Sequence, residues 1–241
     1  MASPLHQFEI HPIVPIEIGG VDISFTNSSL AMAAAVTAIT LFVTLSMRGR
    51  DLVPGRWQSA AEMAYEFVGN MVRDNVGTAG RKFFPFVFSL FMFILFGNLL
   101  GLLPYSFTFT SHIVVTASLA LTVIVGVTIV GVVKHGLHFL SFFVPKGVPI
   151  ALMPLMIPIE VISYLSRPVS LSIRLFANMM AGHTMLKVFA GFIISLGLLG
   201  GWAPLVMDVA LIAFELLVAF LQAYVFTVLT CLYLNDALHL H

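Results

Sequence analysis

From Phe83 to Val133 there are 51 consecutive residues without an Asp, Glu, Lys or Arg. A soluble domain averages roughly one charged residue in four, so no water-facing fold accommodates this stretch. It is also too long for one crossing, because a hydrocarbon core about 30 Å thick takes about 20 helical residues. The polar break LPYSFTFTSH divides it into two spans, 84–103 and 112–133. A further span is LAMAAAVTAITLFVTLSM, residues 30–47, and two longer apolar segments, 168–199 and 204–236, flank the turn GLLGGWAP. With 59% hydrophobic and 9% charged residues over 241 positions, the chain reads as one all-α polytopic membrane domain.

One segment differs in kind. In WQSAAEMAYEFVGNMVRDNVG, Trp57, Ala60, Ala64, Phe67, Val68 and Met71 recur at helical spacing, while Gln58, Glu62, Glu66 and Arg73 fall opposite. This pattern predicts an amphipathic helix over 57–76, lying in the membrane interface or packed on a partner. Basic residues set the orientation. The 48–82 connection carries Arg48, Arg50, Arg56, Arg73, Arg81 and Lys82, and the 134–167 connection carries Lys134, Lys146 and Arg167. The first 29 residues, the 104–111 loop and the 197–208 turn carry no Lys or Arg. By the positive-inside rule the N-terminus is exoplasmic and the C-terminus cytoplasmic. The N-terminal residues lack the basic region and apolar core of a secretory signal, so no cleavage is expected.

Zero net formal charge gives no indication of nucleic acid binding. The one cysteine, Cys231, sits in an apolar run, so neither a disulfide framework nor a cysteine metal site is expected. No phosphate-cradling glycine motif ending in Lys-Ser/Thr is present, no metal or other cofactor is implied, and chemistry on ATP is expected to reside in another chain.

The last third holds polar groups at membrane depth: Glu160, Arg167, Arg174, Asn178, His183, Lys187, Asp208, Glu215 and Gln222. Arg167, before Pro168, marks a helix start at the cytoplasmic border. Arg174 lies about 10 Å deeper by the helical rise, where a charge costs about 2.5–3.5 kcal/mol on insertion scales. It needs a wet cavity or a partner: Glu215, Glu160 or a carboxylate of another chain. A helix over 168–199 is about 48 Å long, so the two C-terminal helices are expected to run as a hairpin of two long, steeply tilted intramembrane helices, the alternative being a break at Gly182 or Gly191. Antiparallel pairing about a turn near 198–199 sets Arg174 level with Gln222 and His183 level with Glu215. Gln222 and Glu215 share a helix face, as do Arg174 and Asn178, but His183 lies half a turn round from Arg174. Imidazole titrates near neutral pH, so the His183–Glu215 level reads either as a proton-handling pair or as a buried structural one.

At these residues the chain resembles subunit a of the F-type ATP synthase membrane sector, bacterial type. The likeness covers most of the sequence, including PLHQFEI, FGNLLGLLPY, FELLVAFLQAYVFTVLTCLYL and, most specifically, RPVSLSIRLFANMMAGH. The resemblance implies that Arg174 is the essential stator arginine, with Asn178 and Gln222 as its polar neighbours. It implies that His183 and Glu215 belong to an exoplasmic half-channel, Glu160 to the cytoplasmic side, and Asn98 to a position near the uptake path. Some bacterial relatives exchange the acid and the imidazole. Some also place an acid three residues after Asn98; here Gly101 stands there, so no acidic role is assigned to that loop. Implied partners are a rotating ring of small hairpin subunits with a membrane carboxylate, peripheral-stalk membrane subunits and the lipid bilayer. The implied location is the bacterial inner membrane, and the implied role is a proton-conducting stator. The competing reading is a self-contained proton-coupled carrier, in which Arg174 pairs with a carboxylate of its own chain.

Overall fold

A computed structural model describes residues 8–18, 21–22, 24–48, 54–103, 106–144 and 152–239. Arg50 and Lys146, used above for orientation, and the start of the PLHQFEI motif lie outside the described residues. Six long helices dominate: α1 (Asn27–Ser46), α2 (Arg56–Val76), α3 (Phe84–Gly101), α4 (Ile113–His135), α5 (Met153–Gly200) and α6 (Trp202–Leu238). Among the described residues, five helical segments are long and apolar enough to cross a membrane. The chain is an all-α polytopic membrane protein. In hydrocarbon only a helix or a closed barrel satisfies every backbone polar group internally. The same rule extends to side chains: Thr37, Thr40 and Thr44 of α1 return their hydroxyls to carbonyls one turn back, at 2.8, 2.8 and 2.6 Å.

Ahead of α1 stands a small feature absent from the helical reading. Strand β1 (Pro12–Val14) pairs antiparallel with β4 (Phe25–Thr26), and β2 (Glu17–Ile18) with β3 (Val21–Asp22). Asn27 clamps this ribbon to the helix by accepting from the His11 N–H and donating to the Glu9 carbonyl. Thr26 caps α1 by accepting from the Ser29 N–H.

Helix α2 packs on α3 and α6. The Phe67 ring lies 5.7 Å from Phe91 and 5.8 Å from both Phe220 and Tyr224, centroid to centroid. Its buried stripe is Ala61, Val68, Met71, Val72 and Val76, whereas Trp57 is 74% exposed. The apolar face is therefore rotated from the one read off the sequence. Gln58, placed there on the polar face, is buried and donates to Glu62 Oε1 at 2.8 Å.

One expectation for the C-terminal hairpin is corrected. Helix α5 does not start at Pro168; it begins at Met153 and runs through both Pro158 and Pro168. Proline loses one backbone bond, but packed neighbours and Ser/Thr hydroxyls make this tolerable in membrane helices. The carbonyls that lose their donors are those of Pro154 and Tyr164, four residues before each proline; beside Pro168, the Ser166 and Ser172 hydroxyls donate to the Ser163 and Val169 carbonyls at 2.7 and 3.0 Å. Arg167 itself is held by several partners. It donates to Asp236 Oδ2 at 2.9 Å and stands over the rings of Tyr233, Tyr164 and Phe142 at 5.0, 5.5 and 5.8 Å. Together with Lys134, which donates to the Leu238 carbonyl at 2.8 Å, it ties the end of α6 to α4 and α5. The backbone leaves helical geometry at Gly197, with φ 62°, and not at Gly182 or Gly191. From Met153 to that break α5 is about 66 Å long by its rise, more than twice a hydrocarbon core.

Candidate functional site

The site lies where α5, α6, the end of α3 and the 106–112 loop meet. Leu171, Leu175 and Met179 form the inward stripe of α5 and are almost fully buried. Continuing that face leads to Gly182 and His183. On α6 the inward stripe is Glu215, Ala219, Ala223 and Phe226, all buried. The hairpin brings His183 Nε2 to 3.7 Å from Glu215 Oε1, so these two are neighbours as well as level.

Close helix approach makes this possible. A Cβ at Gly182 would fall 2.6 Å from Glu215 Oε1 and 2.9 Å from its carboxyl carbon. Gly182 thus serves as the floor on which the Glu215 carboxylate rests, not as a hinge. Glu215 is 3% exposed, and neither carboxylate oxygen has a protein hydrogen-bond partner. Asn98 comes to the same place from α3. It is fully buried, its amide donates to the Ala219 carbonyl at 3.2 Å, and its Oδ1 has no partner.

Arg174 points elsewhere. It is exposed on the outer side of α5, and among the described residues it forms no ion pair and no side-chain hydrogen bond. The ion pairs of the hairpin are His183–Glu215 and Arg167–Asp236, so neither Glu215 nor Glu160 neutralises Arg174. Asn178, one turn on, is half-buried, as is Gln222 on α6. Next to them Ala177 and Ala181, with Phe176, Met180, Thr184 and Met185, line an outward groove of about 570 Å³. Glu160 is half-buried on α5, about 21 Å from Arg174 along the axis, and belongs to neither group.

Several residues of the site carried no assignment from the sequence. Thr110 Oγ1, Ser111 Oγ and His112 Nε2 of the loop, and Asp208 Oδ1 of α6, are buried without a partner. Thr108 contacts His183 Nε2 at 3.1 Å. For the loop residues the signal was a polar cluster, TFTSH, inside an otherwise apolar run; Asp208 was visible as an acid at membrane depth but had no role attached.

The described residues thus form a helical membrane bundle with an exposed arginine outside any ion pair and a buried carboxylate–imidazole pair. Residues 29–235 match the family model described as the ATP synthase A chain. The chain is 64% identical to the ATP synthase subunit a of Mesorhizobium japonicum, over 98% of this chain and 96% of that one. It is 58% identical to the subunit a of Paramagnetospirillum magneticum and 57% identical to that of Rhodospirillum rubrum, over the full length of both partners in each case. The chain belongs to the ATP synthase A chain family.

Proposed function

We propose that the chain is the proton-conducting stator of a bacterial F-type ATP synthase, with two offset half-channels separated by Arg174. Family membership makes it a membrane-sector subunit of the synthase and not the catalytic one. The observation that carries the finer reading is the unpartnered cation. A fixed guanidinium on an outward face, with no carboxylate partner among the described residues, calls for one from another chain. A ring of small hairpin subunits, each with one membrane carboxylate, supplies it, and the small side chains of Ala177 and Ala181 let a ring helix come close to Arg174.

The uptake half-channel runs from the exoplasmic side through the 106–112 loop to His183, Glu215 and Asn98. Buried polar atoms without protein partners are rare and costly, and their concentration here suits a hydrated passage. A proton delivered to a ring carboxylate neutralises it, and the neutral acid can travel through lipid. After the ring has turned, the carboxylate meets Arg174, whose charge favours the ionised form. The proton then leaves through a cytoplasmic path that includes Glu160, with Asn178 and Gln222 flanking the arginine. Arginine is not deprotonated in proteins, so it separates the two paths without relaying protons. Each charge crossing 100 mV contributes about 2.3 kcal/mol, so several crossings must be summed through rotation for each ATP.

Purification tests this reading. The chain should copurify with a ring of hairpin subunits and with peripheral-stalk membrane subunits, and proton flux should require them. A purified chain that moves protons with a solute on its own would overturn the stator reading in favour of a carrier.

The same reading places the N-terminus outside, the C-terminus inside, 57–76 at the interface, and the 168–199 and 204–236 segments as a tilted hairpin in the inner membrane. Cys231 is fully buried, so an introduced thiol can be labelled against a silent background. A cysteine replacing the exposed Ser106 should react with a membrane-impermeant maleimide from the exoplasmic side, and one replacing Thr78 only in inverted vesicles. The opposite pattern would reverse the two half-channels.

A further inference from the structure

The loop between α3 and α4 folds back into the bundle. Thr108 is 5% exposed, and Thr110 and Ser111 are buried beside it. Two glycines one turn apart on α3 make room for it. A Cβ at Gly97 would fall 2.5 Å from the Phe109 ring, and one at Gly101 would fall 2.6 Å from the Thr108 methyl and 2.8 Å from its hydroxyl. Gly101, having no side chain, leaves the space that the Thr108 side chain fills. That hydroxyl donates to the Gly101 carbonyl at 3.1 Å and sits 3.1 Å from His183 Nε2.

A hydroxyl has one proton and two lone pairs. With its proton on the Gly101 carbonyl, Thr108 can only accept from His183, which requires the Nε2–H tautomer. Turned toward the ring it would donate to a bare Nε2, at the cost of its bond to a carbonyl at the helix end. The first arrangement satisfies both neighbours. Nε2 is also the nitrogen nearest Glu215.

We propose that Thr108 is a positioning residue of the proton uptake path, its hydroxyl holding His183 in the Nε2–H tautomer with that proton directed between Thr108 and Glu215. This rests on the reading of His183 and Glu215 as the uptake pair. An incoming proton binds Nδ1, and the Nε2 proton passes to Glu215 Oε1, converting the carboxylate to the acid. The neutral ring is left protonated at Nδ1, and Thr108 rotates to donate to the bare Nε2. The imidazole has gained a proton at Nδ1 and lost one at Nε2, so the pair has gained one in all, held on Glu215; once Glu215 has passed it on, the ring exchanges back to the Nε2–H tautomer, which the Thr108–Gly101 bond favours. The titratable and charged groups that act on this pair are Glu215 beside His183, Lys187 of α5 and Asp208 of α6, with His112 ahead of α4 in the same loop as Thr108; Arg174 of α5 lies half a turn away, and Asn98 of α3 is uncharged.

The test uses the whole synthase in inverted vesicles, with assembly checked by copurification. Thr108→Val keeps the shape and removes the hydroxyl; Thr108→Ser keeps the hydroxyl. ATP-driven acidification should slow about three- to tenfold in Thr108→Val, the scale of one hydrogen bond lost at the transfer step, and its pH profile should shift. Thr108→Ser should restore the wild-type profile. Gly101→Ala, which displaces Thr108, should reproduce the valine defect and add little to it in the double variant. An unchanged rate and pH profile in Thr108→Val overturns the proposal, as does a serine variant equally impaired, because that would mean the methyl group packs and the hydroxyl is idle. If Thr108→Val does not assemble, Gly101→Ala decides on the same terms. Arg174→Ala, run alongside, separates the two levels: if it pumps, the stator reading itself fails, whereas a normal Thr108→Val beside a silent Arg174→Ala removes only the role of Thr108.

Discussion

Arg174→Ala should abolish ATP-driven acidification in inverted vesicles while leaving the membrane sector assembled. The cation is outward-facing and has no ion pair among the described residues, so its removal strands no buried carboxylate in this chain. Two functions disappear with it: the attraction that ionises a ring carboxylate, and the barrier that keeps protons from passing directly between the half-channels. Losing one preorganised electrostatic stabiliser costs about a hundredfold or more, and a passive proton leak should accompany the loss. Arg174→Lys is the sharper variant. It keeps a positive charge, but lysine is a point charge that can give up its proton when desolvated, and it lacks the planar fork that pairs with a carboxylate. Lysine should therefore fail as well, which separates a requirement for a permanent cation from one for positive charge in general. Substantial coupled pumping by either variant would refute the assigned role. Loss of assembly in both would instead mean that Arg174 holds this chain together.

Much of this arrangement was legible because membranes restrict the options. Once a 51-residue stretch carries no charge, helices are the only economical structure, and antiparallel geometry then fixes depth. That is why a turn near 198–199 sufficed to set His183 level with Glu215, though their contact at 3.7 Å is visible only in the structure, and why Arg174, nine residues from His183, faces the other way. The errors share a physical cause. Pro168 ends a helix in water because a lost hydrogen bond and a ring clash are not offset there, whereas inside a bundle packed neighbours carry α5 through it. The face of α2 was misjudged at Gln58, whose amide finds a partner in Glu62 one turn away and so tolerates burial. Thr108 left no periodic trace at all. Its place depends on a hydrogen bond to the Gly101 carbonyl seven residues back, a contact that the polar cluster TFTSH does not encode.

His183→Leu and Glu215→Leu should each slow coupled pumping by about a hundredfold, the lower end of what a positioned proton-transfer group contributes, while assembly persists. The two side chains are 3.7 Å apart and the carboxylate lies over Gly182, whose missing side chain is what admits it. If the pair were only structural, deleting one member would leave the other buried and unpaired, and the expected cost would be to stability. A proton-transfer role predicts the reverse, a rate defect in a complex of ordinary stability. Exchanging the partners as His183→Glu with Glu215→His distinguishes the two further. Both groups would still titrate and still meet at the same depth, so the double variant should recover a large part of the rate lost in either single exchange. Recovery will be incomplete, because an imidazole over Gly182 is bulkier than the carboxylate it replaces, and a carboxylate at position 183 meets Thr108 with an acceptor where the imidazole had a donor. Single leucine variants that pump at the normal rate would leave the pair a packing feature, and the uptake path would have to be drawn through Asp208 and the loop instead.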